Sequence, residues 1–185
     1  MSNYGKILDL IEKQTREVFS PLTYAQIFWK PREGAWSVGE CLSHIIITNE
    51  LYFPVLENAA RGTHRESLWE RVSPFSRMFG KQFIGIVDPE SDKKHKSPRA
   101  FMPDKNFFET AVDKNIIRRF KENIIRLRKI LKEFKTVNTA GIKISSPASS
   151  LITFKLRDAL EMILKHNIRH LNQALRVMDE HGFPR

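Results

Sequence analysis

Apolar residues recur three and four positions apart in four long stretches of the chain, the spacing that gathers them on one face of an α-helix. The first stretch runs from about Tyr4 to Phe19, with Ile7, Leu8, Ile11 and Val18 on one side. Pro21 ends it, because proline has no N–H to continue the helical ladder. The second begins at Ser37-Val38-Gly39-Glu40, a capping box in which serine and glutamate each satisfy a free backbone N–H of the first turn. Trp36 and Cys41 are expected to form the accompanying hydrophobic staple. This helix is predicted over Val38 to about Ala60, with Cys41, Ile45, Thr48, Tyr52, Val55 and Ala59 buried, Pro54 kinking or shortening it and Gly62 near its end. A third, from about Ala111 to Phe134, carries Ile117, Phe120, Ile124, Leu127, Leu131 and Phe134 on one face, and a fourth spans roughly Phe154 to Glu180, closed by His181-Gly182.

Between Gly62 and about Thr110 the pattern weakens and Pro74, Pro89, Pro98 and Pro103 punctuate the chain. A short helix is predicted over Ser67 to Val72. The rest reads as a largely irregular crossover carrying part of a pocket wall, since long connections inside compact domains are often functional. A second connection passes through Gly141 and Pro147. With no convincing period-two alternation and no internal repeat, the fold class is all-α, a four-helix bundle with long crossover connections and any strands confined to them. The 185 residues suffice for one core, so a single domain over 1–185 is expected.

Hydrophobic residues make up 41% and charged residues 28%, an ordinary soluble balance. Residues 1–20 lack the uninterrupted apolar run of a signal peptide or membrane span, and Cys41 is the only cysteine. A cytoplasmic protein without a membrane partner is expected. The net charge of +10 raises a nucleic-acid reading, resting on the run Lys93, Lys94, His95, Lys96 to Arg99 and on the basic stretch Lys114 to Lys135. In the second stretch the bases lie opposite the apolar face, so the bland reading is a solvated helix surface, and nucleic acid is not the expected partner.

The chemistry lies in the histidines. His166 and His170 are four apart on the fourth helix, so their imidazoles project from nearly one face and could converge on one ion. The spacing alone fits equally well two histidines that merely share a face. His44 flanks the buried side of the second helix beside Cys41, Ile45 and Thr48, where an unpaired imidazole is costly. A histidine from a facing helix would complete a three-nitrogen site with an open position, for which zinc is the first choice and nickel or iron are alternatives. A satisfied core histidine is the competing reading of His44 taken alone. Asn49, Asn167, Arg169 and Gln173 flank the proposed site as secondary candidates for orienting imidazoles or binding an anion. Cys41 reads as a small buried hydrophobe and not as a fourth ligand. His64, His95 and His181 read as ordinary exposed histidines. Met78, Phe79, Phe83, Phe101, Phe107 and Phe108 could line an apolar pocket over the site, but plain core is the commoner role.

The ordered set Trp36-Ser37-Val38-Gly39-Glu40 to His44, Lys96-Ser97-Pro98 to Phe101-x-Pro103, Ser145-Ser146-Pro147, and His166 to His170 followed by Leu171-Asn172-Gln173-Ala174 resembles the DinB-like superfamily of four-helix metalloproteins. The resemblance implies a divalent metal held by one histidine of the second helix and two of the fourth, here His44, His166 and His170. It also suggests a homodimer. Its members include thiol-dependent transferases and many proteins labelled only as metal-dependent hydrolases, so it implies a site and a small-molecule substrate without naming the reaction. A metal would lower the pKa of bound water for hydrolysis, or stabilise the bound thiolate of a low-molecular-weight thiol for transfer. Transfer is slightly favoured, because Asn167 stands where the zinc-protease motif H-E-x-x-H has its general-base glutamate. Glu161 points away from the His166–His170 face and Glu40 is expected to be spent in the cap, so no acid–base residue is evident. The rival reading is a non-catalytic metal-binding or interaction module that meets its partner through a basic surface.

Overall fold

A computed structural model of the chain describes residues 2–89 and 115–185. Its core is built on α3 (Val38–Ala60), which packs against both α6 (Ile116–Glu133) and α7 (Leu156–Asp179), with α1 (Ser2–Gln14) laid on the latter two. Asn49 meets Asn123 and Glu57 meets Arg126, so α3 and α6 run in the same direction, a pairing that needs a long connection. Trp29, before α3, packs edge-on against Phe183, after α7, with ring centroids 5.5 Å apart, so α7 returns antiparallel to α3. The fold is all-α in character, and the four long helices occur in the expected order.

The capping box forms as written in the sequence: the Ser37 hydroxyl accepts the Glu40 N–H at 3.1 Å, and Glu40 Oε2 accepts the Ser37 N–H at 2.8 Å. Pro54 does not stop α3, which continues to Ala60. Glu50, Leu51 and Pro54 are exposed, so the carbonyl that proline leaves without a donor faces water. The first helix is shorter than its apolar pattern suggests, giving way to a π turn at Thr15–Phe19. There the Ser20 N–H reaches back five residues to the Thr15 carbonyl at 2.9 Å, and the Thr15 hydroxyl donates to the Ile11 carbonyl at 2.6 Å. On α6 the apolar face is buried as predicted and the bases lie outside. Several of them are paired: Arg128 with Asp9 and Glu12, Arg126 with Glu57, and Arg118 with Glu122. The expected start of this helix at Ala111 lies outside the described residues, as do Lys93 to Arg99, Phe101, Phe107 and Phe108.

The described part of the first crossover is more regular than expected. It holds α4 (Leu68–Val72), on the Ser67-x-x-Glu70 capping box, and α5 (Ser76–Ile86). Both dock on an antiparallel hairpin of β1 (Lys143–Ser146) and β2 (Ser149–Lys155), in which Ile144 pairs with Phe154. Glu66 accepts the Lys143 N–H at 2.7 Å, the His64 ring meets the Lys143 carbonyl at 3.0 Å, and Ser73, Ser76 and Thr153 form a buried hydroxyl chain. His64 is therefore a half-buried docking residue and not an ordinary exposed histidine. Met78 is 53% exposed, while Phe83 packs edge-on against Phe154.

A further short helix, α2 (Tyr24–Phe28), lies against the first turn of α3. A Cβ on Gly39 would sit 3.0 Å from the Ile27 side chain and 3.2 Å from the Phe28 ring, so the absence of a side chain there allows the approach.

Candidate metal centre

Two helices of opposite direction bring the three histidines together across 122 residues of chain. His44 stands in the second turn of α3, whose start is fixed by the cap, and His166 and His170 stand one turn apart in the middle of α7. All three are at least nine-tenths buried. The ring centroids lie 4.8 Å apart for His44 and His166, 4.4 Å for His44 and His170, and 4.5 Å for His166 and His170. One nitrogen from each ring falls in a group whose members all lie within 4.8 Å of one another.

Spacing and donor chemistry fit a divalent ion. Two nitrogens bonded to one zinc at ~2.0–2.1 Å stand ~2.9 Å apart at a right angle and ~3.3 Å apart at a tetrahedral angle. The Nε2 atoms of His44 and His166 are 3.0 Å apart, within that range. His170 is oriented by its other nitrogen: Nδ1 donates to Gln173 Oε1 at 3.0 Å, which leaves Nε2 with a lone pair.

The electrostatics favour neutral rings, the form that coordinates a metal. Burial pushes the His166 pKa well below the ordinary histidine value, and the neighbouring His170 and His44 add to the effect. Burial likewise lowers His170 to about 3, with His44 contributing and the Gln173 contact opposing. Three imidazoles packed this closely would repel one another if charged, whereas a cation between them is attracted by three lone pairs at once.

Other flanking residues take distinct places. Trp36, assigned from sequence to a hydrophobic staple, lies against the centre itself: its ring is stacked on His170 at 5.6 Å and 27°, and meets His44 edge-on at 4.9 Å. An aromatic immediately before a capped helix is placed to reach the second turn of that helix, where His44 stands, but its stacking on α7 has no signal in the sequence. Gln173 touches His170, whereas the Asn49 amide donates to Asn123 at 2.7 Å and so ties α3 to α6. Arg169 donates to the Asp88 carbonyl at 2.7 Å, which ties the crossover to the flank of α7. Cys41 is fully buried in the core, and desolvation raises its thiol pKa far above the ordinary value, so it behaves as an apolar residue. Glu40 binds Lys30 at 2.7 Å as well as the cap, and Glu161 lies 3.6 Å from Lys165. Among the described residues no carboxylate joins the histidine cluster.

Comparison with known proteins gives one positive result. A family model described as the DinB superfamily matches residues 7–174, which includes all three histidines. No curated protein matches the chain, and no solved structure does. Among the described residues no helix is long and apolar enough to cross a membrane.

Proposed function

We propose that this chain, which belongs to the DinB superfamily, is a metal-dependent enzyme acting on a small molecule at a divalent centre held by His44, His166 and His170. The observation that carries the reading is the convergence of three buried imidazoles from two helices, with His166 and His170 held neutral by burial. A bound metal would supply Lewis acidity and lower the pKa of a water or thiol. The chain's own contribution is to hold the rings. Gln173 fixes the His170 tautomer, Trp36 confines the His44 and His170 planes, and the two helices keep the rings largely out of water.

Within this reading a transfer reaction using a low-molecular-weight thiol fits better than hydrolysis. Hydrolysis calls for a general base beside the metal-bound water, yet the nearby carboxylates Glu40 and Glu161 are engaged by Lys30 and Lys165 and the residue following His166 is Asn167. A thiol co-substrate would be acidified by a bound metal and would lose its proton to water without such a base. Zinc is the first choice, with nickel or iron accommodated by the same nitrogen donors.

The test is elemental analysis of untagged protein, native and with His166→Ala and His170→Ala together. About one equivalent of a transition metal in the native chain, absent from a variant whose circular dichroism is unchanged, is the expected result. It would be followed by assays pairing thiols with electrophiles, where turnover that needs both metal and thiol supports transfer and ester or amide cleavage without thiol overturns it. A native chain that neither retains nor rebinds metal overturns the metal reading altogether.

A further inference from the structure

Next to the centre, one turn of α7 holds three buried polar atoms without a hydrogen-bond partner among the described residues. They are His166 Nδ1 and both amide atoms of Asn167, a residue with no exposed surface. Burying an amide in this state is costly, so such a residue is expected to be used in some state of the protein. Asn167 follows His166 directly in α7, and neither its amide nor the ring's Nδ1 completes a hydrogen bond.

Whether a bond between Asn167 and His166 is called for depends on which nitrogen of His166 carries its proton. With no ion between them, His44 Nε2 and His166 Nε2 at 3.0 Å would share one proton, donated by either ring to the other. If His166 is the donor, its Nδ1 is a bare lone pair and calls for no acceptor. Committing His166 Nε2 to a metal reverses this. The ring stays neutral, its proton moves from Nε2 to Nδ1, and a donor then points into a dry interior.

We infer that Asn167 is a positioning residue of the centre, its side-chain carbonyl accepting the His166 Nδ1–H in the metal-bound protein and fixing the tautomer that presents Nε2 to the ion. This rests on the metal reading above. Partners of this kind orient metal-bound imidazoles and typically contribute 10–100-fold to metal affinity. The assignment gives the non-glutamate at this point of the H-x-x-x-H stretch a role in holding a ligand, in place of the proton transfer that glutamate would perform.

The test uses zinc affinity, measured by competition with a chelator, for the native chain and for Asn167→Leu and Asn167→Asp. It adds the 15N spectrum of the histidine rings with and without zinc. Expected are at least tenfold weaker zinc binding in Asn167→Leu with the fold retained, affinity within a few-fold of native in Asn167→Asp, and a His166 proton on Nδ1 in the zinc-loaded native protein. Asn167→Leu binding zinc within twofold of native overturns the inference while leaving the metal reading intact. If that variant does not fold, a zinc-loaded native spectrum with the His166 proton on Nε2 overturns it equally. A native chain that takes up no zinc, nickel or iron overturns the metal reading and this inference together.

Discussion

Burial is what prepares the candidate histidines, and it carries a cost in acid. His170 is lowered to about 3 and His166 falls well below its ordinary value, whereas both titrate near 6.5 in an unfolded chain. Between about pH 6.5 and 3 the unfolded state therefore binds more protons than the folded one. Stability of the metal-free protein should be unaffected by these groups above pH 6.5 and should fall as pH drops through that window, by on the order of 1 kcal/mol per pH unit for each ring. Urea unfolding at pH 7 and pH 5, with metal removed, checks this. The native chain should lose more stability over the interval than the double variant His166→Ala, His170→Ala, and equal losses would refute it. At this scale the four-residue spacing on a long helix put His166 and His170 on one face, but only His44 on the buried side of the second helix pointed from a shared face to a common centre. The sequence did not disclose Trp36, whose stacking on His170 depends on how the segment before α3 crosses α7. The pairing of His170 with Gln173 was visible only as one candidate among several.

Among the elements, α3 is the one whose boundaries are most firmly set by local chemistry. Its cap orders the first turn and with it the rotation that points His44 at α7. Ser37→Ala removes an acceptor for the Glu40 N–H and should cost about 1 kcal/mol, within the range of ~0.5–2 kcal/mol for such caps. The measurement is the urea midpoint, which should fall with the denaturant slope unchanged; an unaltered midpoint would show that tertiary packing alone holds this end. The same S/T-x-x-E/Q signature stands at Thr23–Gln26 and at Ser67–Glu70, and each caps a helix of five residues. Neither helix is long enough to show a period; the sequence predicts a short helix over Ser67 to Val72 but none at Thr23, where only the cap signature marks the start. Glu70 illustrates what such short pieces rely on. Burial alone would raise its pKa, yet hydrogen bonds from Ser67 and Ser145 hold it below the ordinary value. The hairpin was illegible for a related reason: its strands are stabilised by His64, Glu66 and Ser73, side chains about 80 positions away in the chain, and not by an alternating pattern of their own.

For the whole molecule, the sequence carries a net charge of +10, and several bases on the described helical surface already have acidic partners. Arg128, with two carboxylates from α1, is a strut between helices, and Arg126 also lies over the Phe53 ring at 4.6 Å. Such a surface should adhere to DNA only weakly and non-specifically. Binding to an arbitrary duplex should vanish as salt is raised from 50 to 200 mM and should be the same in the native chain and in the variant lacking His166 and His170. Tight, salt-resistant binding that depends on the histidines would instead tie nucleic acid to the centre. The order of the long helices and the placement of bases outside them were readable from periodicity. The parallel course of α3 and α6 was not, since periodicity fixes faces and says nothing of direction.

The distance along the chain between His44 and its two partners has a consequence for how the protein is made. Closing a loop of 122 residues is an entropic penalty met before any contact rewards it, so the centre belongs to the late, non-local part of folding. During synthesis, α3 leaves the ribosome long before α7 does, and His44 waits as a lone imidazole until residues 166 and 170 have emerged and docked. On the proposed metal reading, capture of the ion would require a molecule whose last long helix is in place, which would make the ion a signal of completed assembly and a clamp on the first and final thirds of the chain.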